Sequence, residues 1–136
     1  MTDDLRSMAA REAVTTPQPA PVAQGEPATP ALLAWVEARG EDVAEISAII
    51  RARDEFGRRK YGQPLYSHDG RDVSADFGQE LADALQYGMA ARMRGVSLAA
   101  WAPMLRALCD LVDDDPNDID RRVIAGVQQT RGRTFP

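Results

Sequence analysis

Cysteine, histidine and lysine each occur once in this 136-residue chain, as Cys109, His68 and Lys60. A single cysteine excludes an internal disulfide framework and any multi-cysteine metal site. A single histidine excludes a His–His zinc site and leaves little scope for Ser-His-Asp catalysis. No apolar run approaches the roughly 18 residues of a membrane span, and Met1-Thr2-Asp3-Asp4 lacks the basic start and apolar stretch of a signal peptide. The expectation is a soluble, cytoplasmic protein with no membrane partner. An excess of base is also missing. With 21 acidic against 16 basic residues and a net charge of −5, generic electrostatic binding of nucleic acid is not expected. Strand-like alternation and internal repeats are absent too.

What remains has the size of one domain, with ordinary hydrophobic and charged fractions of 44% and 27%. Of the 16 basic residues, every one but Lys60 is arginine. Together with the abundant Ala, Gly and Pro, this points to a GC-rich coding sequence. Against that bias Lys60 and His68, eight residues apart, stand out within one segment.

Residues 1–30 differ from the rest. Pro17, Pro19, Pro21, Pro27 and Pro30 punctuate Ala, Gln, Thr and Gly, with few large apolar side chains after Leu5 and Met8. Such a segment buries too little surface to offset an ordering entropy of roughly 1–2 kcal/mol per residue. It reads as a flexible, disordered arm, with a frayed helix over 3–13. Its role is either a partner-binding tether or none.

Residues 31–130 read as one helical domain, followed by a tail over 131–136. A helix over 31–39 carries Leu32, Leu33, Trp35 and Val36 and stops at Gly40. A second, over 41–60, begins with acids and ends with Arg58, Arg59 and Lys60, an order that suits the helix dipole. Its apolar face is Val43, Ile46, Ile49, Ile50 and Phe56. Gly62 and Pro64 close it, and a loop over 61–71 has turn chemistry at Asp69-Gly70. A third helix runs from Asp72 or Val73 to Arg94, with Asp72 or Ser74 as cap, Gly95 as stop and a core face of Phe77, Leu81, Ala84, Leu85, Gly88 and Ala91. A fourth, over 97–112, places Pro103 where it shortens or kinks the first turns. A last helix is expected over 117–129. The fold class is all-α, a bundle of about four main helices.

The third helix carries the most informative pattern. Asp76, Glu80, Asp83 and Tyr87 follow one another at spacings of 4, 3 and 4, forming a stripe along the edge of the apolar arc. Three carboxylates on one stripe repel unless a cation joins them, and Mg²⁺, with its preference for oxygen ligands, is the natural one. The alternative is a solvated stripe, or one neutralised by arginines. An antiparallel hairpin turning at the loop brings Arg51, Asp54, Glu55 and Arg58 level with Glu80 and Asp83. Asp54 or Glu55 then completes a metal site, or Arg51 and Arg58 bridge the stripe.

The run Gln79-Glu80-Leu81-Ala82-Asp83-Ala84-Leu85-Gln86-Tyr87 resembles the E-x-x-D helix of the MazG-like, all-α nucleoside triphosphate pyrophosphohydrolases. Phe56-Gly57-Arg58-Arg59-Lys60-Tyr61-Gly62-Gln63-Pro64-Leu65, with Asp69-Gly70-Arg71-Asp72, looks like a segment of small phage and prophage members. The resemblance covers residues 41–95. The family's E-E-x-x-E has two partial counterparts, Glu41-Asp42-Val43-Ala44-Glu45 and Asp54-Glu55-Phe56-Gly57-Arg58, the second with Arg in place of the last acid.

The resemblance implies Mg²⁺-dependent hydrolysis (with Mn²⁺ as substitute) of an NTP or dNTP to a monophosphate and pyrophosphate. It makes Glu80 and Asp83 catalytic metal ligands, with Asp54 or Glu55 contributing; the stripe itself adds Asp76 to the candidate metal ligands. Lys60, Arg59 and Arg71 would neutralise phosphates, and Tyr61 would stack on a base. The plainer reading leaves Arg58 to Lys60 serving the helix C-terminus and Tyr61 covering the loop. The rival function is a non-catalytic helical interaction protein with a salt-bridged acidic stripe. Since short helical hairpins with little core complete their bundles by pairing, a homo-oligomer is expected. His68 reads as an exposed loop residue, and Cys109 as buried filler. Trp35 and Trp101 read as core or interface anchors. The acids of 113–120 lack the Gly and Glu of an EF-hand loop and read as a helix stop with capping acids.

Overall fold

A computed structural model describes residues 2–114. The expected helix over 117–129 and the tail over 131–136 lie outside the described residues. Five α-helices occur among them: α1 (Thr2–Thr15), α2 (Ala28–Arg39), α3 (Val43–Tyr61), α4 (Val73–Arg94) and α5 (Ala102–Asp113), the last preceded by a 3-10 turn at Ala99–Trp101. No strand is formed among the described residues, and the all-α class holds.

Local chemistry sets these boundaries. Pro30 sits in the first turn of α2, where its missing N–H costs no helical hydrogen bond. α3 ends with Arg58, Arg59 and Lys60 beside the negative end of its dipole. The Asp72 side chain caps α4 by accepting from the Ala75 N–H. α2, α3 and α4 each stop at a glycine of positive φ, namely Gly40, Gly62 and Gly95. Pro103 falls in the first turn of α5, and the turn before it is 3-10.

The chain divides into two units, Met1–Ala100 and Trp101–Pro136. In the first, α1 packs against α4 and α2 packs against α3. Val36, Ile46 and Ser47 are buried in the α2–α3 pair, and Ala75 is buried on α4. Gln79 Nε2 donates to the Ala13 carbonyl at 3.4 Å, and Val14 Cγ1 lies 3.4 Å from where a Cβ on Gly78 would stand. In the second unit α5 buries Ala107, while Leu105, Leu111 and Val112 are exposed.

Two connectors pair with each other. The segment between α1 and α2 runs antiparallel to residues 65–72. Val22 N–H donates to Asp69 O and Ala28 N–H to Leu65 O, each at 2.8 Å. In return Ser67 N–H donates to Glu26 O at 2.8 Å and His68 N–H to Gln24 O at 3.0 Å. Pro27 and Tyr66 form an isolated antiparallel bridge. Gln18 Oε1 accepts from the Asp72 N–H, and Ser67 Oγ from the Glu26 N–H. Gly70, at φ 79°, makes the expected turn.

Helix α1 covers the helix expected over 3–13, and the ribbon corrects two other expectations. The proline-rich residues after α1 are an extended strap, held by backbone hydrogen bonds that an argument from apolar burial does not count. The α3–α4 hairpin, in turn, is not one of the two principal helix pairs. One end of the ribbon joins the start of α2 to the end of α3, and the other joins the end of α1 to the start of α4. The helices flanking the 62–72 loop are thereby drawn to opposite ends. Of the expected core face of α4, Phe77, Leu81, Ala84 and Leu85 are exposed, whereas Gly88 and Ala91 are half-buried. Phe56 is exposed too, with the Arg53 guanidinium 5.0 Å from its ring centroid. Cys109 and Trp101 are exposed, whereas Trp35 is half-buried.

Candidate functional site

The residues singled out by sequence fall into three local clusters. On α3, Asp54 is fully engaged. Its Oδ1 accepts from the Thr29 hydroxyl at 2.8 Å, tying α3 to the first turn of α2, and its Oδ2 pairs with Arg58 Nε at 3.0 Å. Glu55 pairs with Arg59 at 3.4 Å, both side chains lying largely in solvent. Such exposed i,i+4 pairs hold weakly and exchange readily. Lys60 Nζ lies 5.3 Å from the centre of the exposed Tyr61 ring. Of the earlier acids, Glu41 pairs with Arg39 at 3.1 Å, and Asp42 is the left-handed residue preceding α3.

The second cluster lies where the ribbon meets α4. Arg71 grips Asp76 with a fork, Nε to Oδ2 and Nη2 to Oδ1, both at 2.8 Å. Its Nη1 donates to the Pro19 carbonyl at 2.7 Å. Asp69, buried, turns its Oδ1 to the Arg71 N–H at 3.0 Å. Hydrogen bonding from Arg71, aided by its charge and opposed by desolvation, holds the Asp76 carboxyl below its ordinary range. The same hydrogen bond, with Asp76 and Asp69 nearby, raises Arg71 further above its ordinary value against partial desolvation.

The third cluster is Glu80 and Asp83. They stand one turn apart on the exposed edge of α4, and neither has an ion pair or hydrogen bond among the described residues. The stripe is thus split, with Asp76 neutralised by Arg71 and Glu80 and Asp83 open. Arg58 serves Asp54 on its own helix, and Arg51 does not bridge the stripe. Arg71 as the partner of Asp76 is missed by spacing rules, because the pair spans a helix cap.

Among the described residues no three His, Cys, Asp or Glu side chains gather closely enough to hold a metal ion. The oxygens of Glu80 and Asp83 are uncommitted and fit a hard cation as two ligands. Those of Asp54 and Asp76 are taken by Thr29, Arg58 and Arg71 and do not fit without rearrangement. Glu55 is held only by an exposed pair. A groove of about 360 Å³ lies elsewhere, between α2 and α3, with Glu37 and Arg51 on its wall beside Leu33 and Val43. Apart from Arg51, none of the residues singled out by sequence for metal or substrate lines it. No helix among the described residues is long and apolar enough to cross a membrane. No protein-family model, curated protein or solved structure matches the chain.

Proposed function

We propose that the chain is a cytoplasmic, MazG-like nucleoside triphosphate pyrophosphohydrolase. One observation carries this reading. Glu80 and Asp83, the acids of the E-x-x-D pattern, present uncommitted oxygens one turn apart on an open edge of α4. Mg²⁺ held there would supply charge neutralisation for phosphate oxygens and a more acidic water for attack on phosphorus. The chain's own cations serve the substrate. Lys60 and Arg59 extend from the solvent-facing end of α3, and Tyr61 offers an exposed ring for a base. Arg71 reaches a phosphate by exchanging one charge-assisted pair, Asp76, for another.

The ion pairs Asp54–Arg58, Glu55–Arg59 and Arg71–Asp76 favour the second reading, a non-catalytic helical interaction protein with its acids neutralised internally. A panel of NTPs and dNTPs with Mg²⁺ or Mn²⁺, followed by detection of monophosphate and pyrophosphate, separates the two. The enzyme reading expects turnover that Glu80→Ala and Asp83→Ala each reduce by more than the roughly 10- to 100-fold typical of losing an outer-shell partner. No turnover across the panel, or unchanged turnover in both variants, favours the interaction protein.

A further inference from the structure

α2 and α3 pack with a groove of about 360 Å³ between them, and the register of the pair fixes what stands where along it. The Thr29 hydroxyl, bonded to Asp54 Oδ1 at 2.8 Å, levels the first turn of α2 with the later half of α3, so the two helices run antiparallel. On the α2 wall Pro30, Leu33 and Glu37 share one face at spacings of 3 and 4, and Ala44, Ser47 and Arg51 do the same on the α3 wall. Arg51 lies one turn from Asp54 and Glu37 about two turns from Thr29. The two charges therefore stand on facing walls, roughly 7–8 Å apart along the helix axes. They form no ion pair with each other, and neither has another partner among the described residues. Ser47, only 6% exposed, lines the groove between them, and its hydroxyl has no hydrogen-bond partner among the described residues.

We propose that this groove binds a small zwitterion of dipeptide size, its ammonium group at Glu37, its carboxylate at Arg51 and its amide at Ser47. Two extended residues span about 7 Å, which matches the axial offset of the two charges. A guanidinium grips a carboxylate through paired N–H donors, and a carboxylate holds an ammonium group by charge-assisted hydrogen bonds. Between them Leu33, Val43 and Ala44 offer a short apolar wall. The uncommitted Ser47 hydroxyl supplies a hydrogen bond that a peptide group can use and an aliphatic chain of the same length cannot. The volume lies at the low end of small-molecule sites, too small for a folded partner. A second anionic group on the ligand would meet Glu37, and a second cationic one Arg51, so the opposed charges select against polyanions, nucleotides included. The inference does not depend on nucleotide hydrolysis, and its test reads binding, not activity.

Amide NMR titration of the full chain with alanyl-leucine at neutral pH tests this. Saturable shifts are expected at Leu33, Ala44 and Ser47, with a dissociation constant of about 1 mM for a ligand of this size. N-acetylation removes the ammonium charge and C-terminal amidation the carboxylate charge. Each should weaken binding about three- to fivefold, the worth of a good exposed ion pair. Glu37→Gln should bind the free and N-acetylated forms alike while still preferring the free form to the amide, and Arg51→Gln should do the converse. Both side chains are exposed, so these variants spare the fold, which unchanged far-UV circular dichroism verifies. Ser47→Ala should weaken alanyl-leucine but not ε-aminohexanoate, which has no amide. The absence of saturable shifts up to about 10 mM overturns the proposal, as does an affinity insensitive to both caps or a dipeptide unaffected by Ser47→Ala. Groove amides that shift on dilution of the chain but ignore the dipeptide would give the groove to a second copy and likewise overturn it.

Discussion

Gly25 offers the sharpest perturbation of the paired connectors. Its φ of +85° is one that L side chains adopt only at a cost of about 1–2 kcal/mol. A Cβ there would stand 2.3 Å from Ser67 Oγ, 2.6 Å from His68 Nδ1 and 3.2 Å from the His68 backbone nitrogen. The first two are side-chain atoms and can move, but not freely. Ser67 Oγ accepts from the Glu26 N–H at 3.0 Å and is hydrogen-bonded to His68 Nδ1 at 2.8 Å. Displacing it forfeits hydrogen bonds with a net worth of about 1 kcal/mol each. Gly25→Ala should therefore destabilise the ribbon by about 2–4 kcal/mol, which raises its open population by roughly 30- to 1,000-fold. Native-state amide exchange reads this directly at four donors, the N–H groups of Val22, Ala28, Ser67 and His68. Their protection should fall together while that of Ile46 in α3 is kept. Gly40→Ala is the control, because Gly40 shares the positive φ but its Cβ would meet nothing within 4 Å. That variant should loosen only the end of α2. Unchanged exchange at the four ribbon amides in Gly25→Ala, or an equal loss at Ile46, would refute the reasoning.

Two further outcomes follow from the same contacts. In wild type the Asp76 carboxyl should titrate below the ordinary aspartate value of about 3.9, and in Arg71→Gln it should move back up toward it, as read by NMR of the side-chain carboxyl carbon. A lowered folded-state pKa contributes stability above the unfolded value and loses it as pH falls through the folded one. The Arg71 grip should accordingly stabilise the folded chain at neutral pH and fail only below the ordinary carboxylate range, a dependence that Arg71→Gln abolishes; an ordinary midpoint for wild-type Asp76 contradicts this. Ile46→Ala removes a side chain that is 2% exposed between α2 and α3 and should cost about 2–5 kcal/mol in urea unfolding, whereas a loss under about 1 kcal/mol would mean that the site is not packed as described.

Helix positions were legible because their signals are local. Asp72 before Val73, Gly95 after Arg94 and Pro103 at the start of α5 act within one turn, and each is found in its expected role. Part of the site was legible on the same terms. Asp54–Arg58 and Glu55–Arg59 stand at i,i+4, so their neutralisation could be read from spacing alone. Arg71–Asp76 could not, since its geometry depends on how the loop enters α4. The exposure of Cys109 was equally hidden, because the apolar neighbours Leu108 and Leu111 do not say which faces of α5 find cover.

The larger miss has one physical origin. Periodicity says which face of a helix is apolar but not which surface will meet it, and the choice here falls to the connectors. Prolines at 17, 19, 21 and 27 remove donors from the strap yet leave its carbonyls, and the N–H groups of Val22, Glu26 and Ala28 remain to be used. An already extended segment loses less entropy on pairing than a flexible one, so a composition that argues for disorder also suits an edge-on ribbon. Once 18–28 lies along 65–72, α1 meets α4 and α2 meets α3, and the hairpin expected from chain adjacency gives way. Glu80 and Asp83 are then left without the α3 acids that the hairpin would have supplied. On the proposed reading, a complete metal shell requires the ribbon to open and let α3 reach α4, so Gly25→Ala should raise Mg²⁺-dependent turnover; turnover unchanged or lowered in that variant would refute this route.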